Sequence, residues 1–205
     1  MELTEQQKDA LSELINIAFS RTAASLSELT GHRVLLDVPS VAIHPIDELS
    51  GALAEFLPAE IATVHQVFSG AVTGDALLLL SYDGAVMLTD LLTDEPERKK
   101  GLNASDREVL TEVGNILLNA CLGMFGNLLQ VHVTFSVPRL HLETLDALLK
   151  SLVIGKEGLR YALVVYTSFR MRDSAVSGYL VIALNVASLD RLIQEAEKWE
   201  ERQGQ

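Results

Sequence analysis

Cysteine is almost missing from this 205-residue chain. Cys121 stands alone, so no intramolecular disulfide can form, and a reducing cytoplasm is the expected setting. The five histidines, His32, His44, His65, His132 and His141, are scattered and share no zinc-ligand spacing with each other or with Cys121. Positive charge is scarce: 16 Lys and Arg face 28 Asp and Glu, a formal net charge of −12. Nucleic-acid binders replace counterions with basic surface, so that class is excluded and a protein partner or cationic site is favoured. The simplest use of the charge is solubility. Uninterrupted apolar runs fall short of the roughly 18 residues that cross a bilayer. The acidic, amphipathic start MELTEQQKDALSEL lacks the basic, apolar and cleavage regions of a secretory signal. No membrane insertion is expected. What the chain does have is apolar content, 48% of its residues, which suits a well-buried core.

It also has internal symmetry. A shift of 99 residues, the separation of Glu13 and Glu112, aligns the two halves. Asn16 then falls on Asn115, Ile17 on Ile116, Ser20 on Asn119 and Pro39 on Pro138. Ile46-Asp47 falls on Leu145-Asp146, Leu49 on Leu148 and Leu53 on Leu152. A later block, Val72-Thr73-Gly74, matches Val176-Ser177-Gly178 after five extra residues in the second half. The expectation is one domain of two repeats, about 1–97 and 101–205, with a linker over 93–104.

Each copy reads as helix, strand, short helix, strand, strand, helix. The first helix starts at Thr4, with Gln7 completing a capping box, and stops at Gly31. The second is expected to start at Ser105 with Glu108 in the same box. Residues 32–43 and 129–138 are β-rich. IATVHQVFSG and GDALLLLSYD form a hairpin, RYALVVYTSFRM and SGYLVIALN its counterpart, and ASLDRLIQEAEKWEE a closing helix. Gly74 and Gly178 are expected to begin strands after tight turns. Pro39 and Pro138 are expected to end strand pairing or mark a bulge. The fold class is α/β: two tandem αβαββα repeats with pseudo-two-fold symmetry, a mainly antiparallel six-stranded sheet, and two long helices on one side of it.

On the first helix, Leu11, Leu14, Ile15, Ala18, Thr22, Leu26 and Leu29 form an apolar face. Asp9, Glu13, Asn16 and Ser20 lie opposite. On the second, Val109, Val113, Leu117, Ala120 and Met124 form the expected buried stripe, and Glu108, Glu112, Asn115 and Asn119 the opposite ridge. Cys121 reads as a small core residue. Most polar helix stripes are solvated faces and nothing more. Here the same Glu-x-x-Asn occurs in both copies, and Asn is a weak helix former because its amide competes for backbone groups. An amide neither titrates near neutrality nor attacks, but it can orient a water, and a carboxylate one turn away can hold a cation. The pair suits a helix that enters another protein's active site.

The pattern Asp or Ser, three residues, Glu, two residues, Asn, twenty-two residues, Pro resembles the signature of the CheC, CheX and FliY phosphatases of bacterial and archaeal chemotaxis. Asp9, Glu13, Asn16 and Pro39 satisfy it fully; Glu108, Glu112, Asn115 and Pro138 satisfy it with Glu108 in place of Asp or Ser. The doubled motif and the length look like CheC. The resemblance implies a hydrolase that removes the aspartyl phosphate of a CheY-like receiver domain. Asn16 or Asn115 would orient the attacking water, and Glu13 or Glu112 would pair with a receiver lysine. It implies no cofactor of the chain's own, the Mg2+ ion being the receiver's. The alternative is a non-catalytic binding module that regulates a partner such as the CheD deamidase. Ile15 stands where the family commonly has Gly, a position the second copy fills with Gly114. It either narrows the first docking surface or packs into the core.

Overall fold

Two long helices set the frame, and their ends follow from side chains that satisfy the first backbone N–H groups. α1 (Glu5–Thr30) starts where Thr4 Oγ1 accepts the Gln7 backbone N–H at 3.2 Å and Gln7 Oε1 accepts the Thr4 backbone N–H at 2.9 Å. It ends at Gly31, whose φ of 70° suits a residue without Cβ. α4 (Ala104–Leu129) has the same 26-residue length, but its box is not the expected Ser105 with Glu108. Asn103 Oδ1 accepts the Asp106 N–H at 3.0 Å, and Asp106 Oδ2 accepts the Asn103 N–H at 2.8 Å. The residue before each cap, Leu3 or Leu102, is buried and ties the entering chain to the core. The earlier start is what lets Leu102 reach it.

The computed structural model describes residues 3–54, 56–57, 60–93, 101–155, 160–171 and 174–203. The expected linker, 93–104, lies mostly outside these residues. Strands β1 (Val34–Pro45), β2 (Ile61–Gly70), β3 (Gly74–Ser81), β4 (Val133–Phe135), β5 (Arg139–Glu143), β6 (Tyr161–Met171) and β7 (Ser174–Leu184) form a single antiparallel sheet. Its order is β1-β6-β7-β3-β2-β4, with β5 also against β2.

The sheet has seven strands where six were expected, because the strand opposite β2 is interrupted between Phe135 and Arg139. Pro138, with no N–H to donate, lies in that gap. α4 also runs on to Leu129, so the β-rich stretch begins later than its composition implies. On the other sheet edge the β1–β6 register shifts between Asp37 and Ser40, the stretch that contains Pro39. The Pro39 side chain lies outside what is described. The two hairpins, β2–β3 and β6–β7, form as expected. Gly178 does not begin a strand: it lies within β7, opposite Leu80 and Thr167, whereas Gly74 does open β3. A Cβ on Gly178 would press on the Leu80 side chain, so close packing accounts for that glycine.

Four helices cover one face: α1, α4, α3 (Tyr82–Thr93) and α6 (Val186–Gln203), all contributing to the larger apolar core. α2 (Leu49–Ala54) and α5 (Leu145–Gly155) cover the other face over a smaller core. β3 runs between the two layers, with Ala76, Leu78 and Leu80 in one and Leu77 and Leu79 in the other. The buried stripe of α4 is turned from the expected one. Leu110, Gly114, Leu118, Cys121 and Phe125 join Val113 and Leu117 inside, and Val109, Ala120 and Met124 are only half-buried. On α1 the apolar face is as expected except Leu29, which is 64% exposed near the helix end. Among the described helices only α4 is long and apolar enough to cross a membrane; half of its apolar window is buried, and it packs on β2, β3, α1 and α6.

Candidate functional site

Helix rotation decides what α1 and α4 show to solvent. Burial of Leu11, Leu14, Ile15, Ala18, Phe19, Thr22 and Leu26 turns Asp9, Glu13, Asn16 and Ser20 outward, and all four are exposed. No hydrogen bond or ion pair among the described residues engages the side chains of Asp9, Glu13 or Asn16. The Ser20 hydroxyl donates to the Asn16 backbone carbonyl at 2.8 Å and leaves the Asn16 amide group alone.

The α4 ridge sits lower. Glu108 and Glu112 are exposed, and Asn115 and Asn119 are half-buried. Asn119 Nδ2 donates to Asn115 Oδ1 at 2.7 Å. The Asn119 oxygen, Oδ1, is buried and has no hydrogen-bond partner among the described residues. Because Asn103 and Asp106 make the cap, Glu108 is not engaged in capping and belongs to the exposed ridge.

Glu13 and Asn16 are neighbours one turn apart, as are Glu112 and Asn115. The two ridges stay on separate helices, with no hydrogen bond among the described residues joining them. Pro39 lies in the edge strand β1, and Pro138 in the gap between β4 and β5. Ile15 is fully buried, which decides between the two expectations for it: it packs into the core and does not face the ridge. Gly114 is buried too, and a Cβ there would overlap the Val64 side chain on β2. Its lack of a side chain lets α4 approach the sheet.

A groove of about 660 Å³ opens between α1, α4 and α6, lined by Leu14, Ile17, Met124, Leu128 and Trp199 with Arg21 and Arg202, but neither Glu-x-x-Asn pair lines it. The arrangement therefore offers projecting amides and carboxylates rather than an enclosed catalytic pocket.

Two features were not legible beforehand. The Asn119–Asn115 bond joins residues already placed on one ridge; their i, i+4 spacing was the available signal. On the opposite sheet face, His65 Nε2 lies 2.8 Å from buried Asp75 Oδ1, and the His65 and His141 ring centres are 6.0 Å apart. His65 and Asp75 face each other across the β2–β3 hairpin and His141 lies on β5, so the three meet only through strand pairing. Among the described residues no group of three or more His, Cys, Asp and Glu is placed to hold a metal ion. Cys121 is buried, and desolvation holds its thiol well above the ordinary range.

The mixed α/β fold with its antiparallel sheet is similar to that of solved chemotaxis and flagellar-switch proteins. No family model matches the chain. It is 25% identical over 174 residues to the CheY-P phosphatase CheC of Bacillus subtilis, covering 81% of each. It is 24% identical over 143 residues to the flagellar motor switch phosphatase FliY of the same organism; that match takes in 69% of this chain but only 37% of the relative. In structure it resembles Thermotoga maritima FliY with a TM-score of 0.76, at 19% identity, covering 97% of this chain and 99% of that one. These similarities of sequence and fold support the resemblance to the CheC/CheX/FliY family that the motif suggests.

Proposed function

We propose that this chain is a phosphatase that hydrolyses the aspartyl phosphate of a CheY-like receiver domain in chemotaxis signalling. The observation that carries the reading is the pair of Glu-x-x-Asn ridges on the outer faces of the two long helices, exposed Glu13 with Asn16 and exposed Glu112 with half-buried Asn115. A projecting catalytic surface needs a concave partner. A receiver domain supplies one, together with the phosphoaspartate, its Mg2+ ion and a lysine. The named activity of the Bacillus subtilis CheC relative supports the same substrate class.

In this reading the helix enters the receiver site and the Asn amide aligns a water for in-line attack on phosphorus. The amide oxygen accepts a hydrogen bond from the water while the water's lone pair faces phosphorus, and the water's protons leave on the released phosphate. The P–O bond to the aspartyl carboxylate breaks, and free carboxylate and inorganic phosphate leave. The acyl phosphate is already a good leaving arrangement, so positioning is the main task left to the chain. The neighbouring Glu pairs with the receiver lysine and holds the amide in register.

The test is phosphate release from a receiver domain charged with acetyl phosphate, with and without this protein. Acceleration that disappears in the double variant Asn16→Ala, Asn115→Ala supports the reading. Tight binding to the receiver with no acceleration would show a binding module instead.

A further inference from the structure

The two ridges do not present their amides in the same way, and the difference lies in one residue. Resting on the phosphatase reading above, we propose that Asn119 is a positioning residue of the second site. Its side-chain N–H fixes the Asn115 amide in one orientation before the partner arrives. The 2.7 Å bond from Asn119 Nδ2 to Asn115 Oδ1 ties down the group that must align the water. A carbonyl oxygen has two acceptor sites, so Asn115 Oδ1 keeps one for the water proton.

The buried, unpartnered Oδ1 of Asn119 strengthens the argument. Burying an acceptor without a partner destabilises the fold, and a small apolar residue there would remove that cost. Stability therefore does not account for the amide. Its useful atom is Nδ2, and among the described residues the only bond Nδ2 makes is to Asn115. The reverse arrangement, with Asn115 donating to Asn119, would bury an NH2 group with two unpaired protons in place of one oxygen, and is worse.

Site one has no counterpart. Ser20 stands at the matching position of α1, and its hydroxyl is spent on the Asn16 backbone carbonyl. Asn16 must order its exposed amide during docking. Asn115 is ordered beforehand, which lowers the entropy cost of reaching the transition state.

The experiment uses single-site parents: Asn16→Ala, which leaves site two, and Asn115→Ala, which leaves site one. Both are assayed for phosphate release from acetyl-phosphate-charged receiver. Adding Asn119→Ala to the first parent is expected to lower kcat about three- to tenfold, the worth of one neutral hydrogen bond, with KM unchanged. The thermal midpoint should hold or rise, because an orphaned buried oxygen has gone. Adding Ser20→Asn to the second parent is expected to raise kcat.

An unchanged kcat for Asn119→Ala overturns the proposal, as does a change confined to KM or an Asn16→Ala parent with no turnover. If Asn119→Ala unfolds, the Ser20→Asn arm decides: a gain in kcat supports the proposal and no gain overturns it. Hydrolysis surviving the Asn16→Ala, Asn115→Ala double variant would instead sink the underlying phosphatase reading, an outcome no result at position 119 can mimic.

Discussion

At the residue scale, the proposed mechanism gives Glu and Asn different work on each ridge, and their loss should read out differently. Water alignment matters chiefly in the transition state, so Asn16→Ala with Asn115→Ala should abolish most turnover while receiver binding persists. Glu13→Ala with Glu112→Ala should weaken binding itself. That loss should shrink at high salt, where the wild-type ion pair is already screened; titrations at two ionic strengths check it. Gly114 and Ile15 stand one residue before each Asn, yet both face inward. Gly114→Ala should destabilise the fold by about 1–3 kcal/mol through overlap with Val64, seen as a lower denaturation midpoint. Ile15→Val should cost about 1 kcal/mol of stability and leave turnover per folded molecule unchanged. Cys121 should resist a thiol reagent at neutral pH until the protein unfolds: burial raises its pKa, so almost no thiolate exists, and the side chain is inaccessible.

At the element scale, some boundaries were legible in the sequence and others were hidden by competing signals. Thr4, Gln7 and Gly31 announced both ends of α1 because each residue has a specific role there. α4 offered two overlapping boxes, Asn103 with Asp106 and Ser105 with Glu108. The internal offset decides between them: Thr4 moved by 99 residues lands on Asn103, and Leu3 on Leu102. Asn103→Ala should lower stability by about 1 kcal/mol, whereas Glu108→Ala should leave the melting midpoint in place. The α4 stripe was misjudged for a different reason. This helix is apolar nearly all round, so periodicity alone could not say which side meets the sheet and which faces α1 and α6. The Glu-x-x-Asn ridges were easier to place, since charge marks the wet side of a helix unambiguously. The His65–Asp75 contact could not have been read, because it depends on strand register across a hairpin.

At the scale of the whole molecule, the strand order interlaces the two halves. β1 pairs with β6, and β4 and β5 pair with β2, so each half's first strand is held by the other half. β3 against β7 joins them again at the centre of the sheet. Residues 1–97 and 101–205, produced separately, should therefore lack the cooperative unfolding transition of the intact chain, and mixing them should restore it. Circular dichroism of each piece and of the mixture checks this.

The same interlacing bears on how the protein is made. A ribosome delivers β1 early, but its partner β6 spans Tyr161–Met171 and comes late. Until then the nascent chain can complete only local elements: α1, the β2–β3 hairpin and α3. The long strand β1 stays unpaired through most of translation, and the register shift around Pro39 falls within it. An irregular, proline-interrupted strand is a poor template for a neighbouring nascent chain. The break that looks like a flaw in the finished sheet thus guards it during the interval when it has no partner.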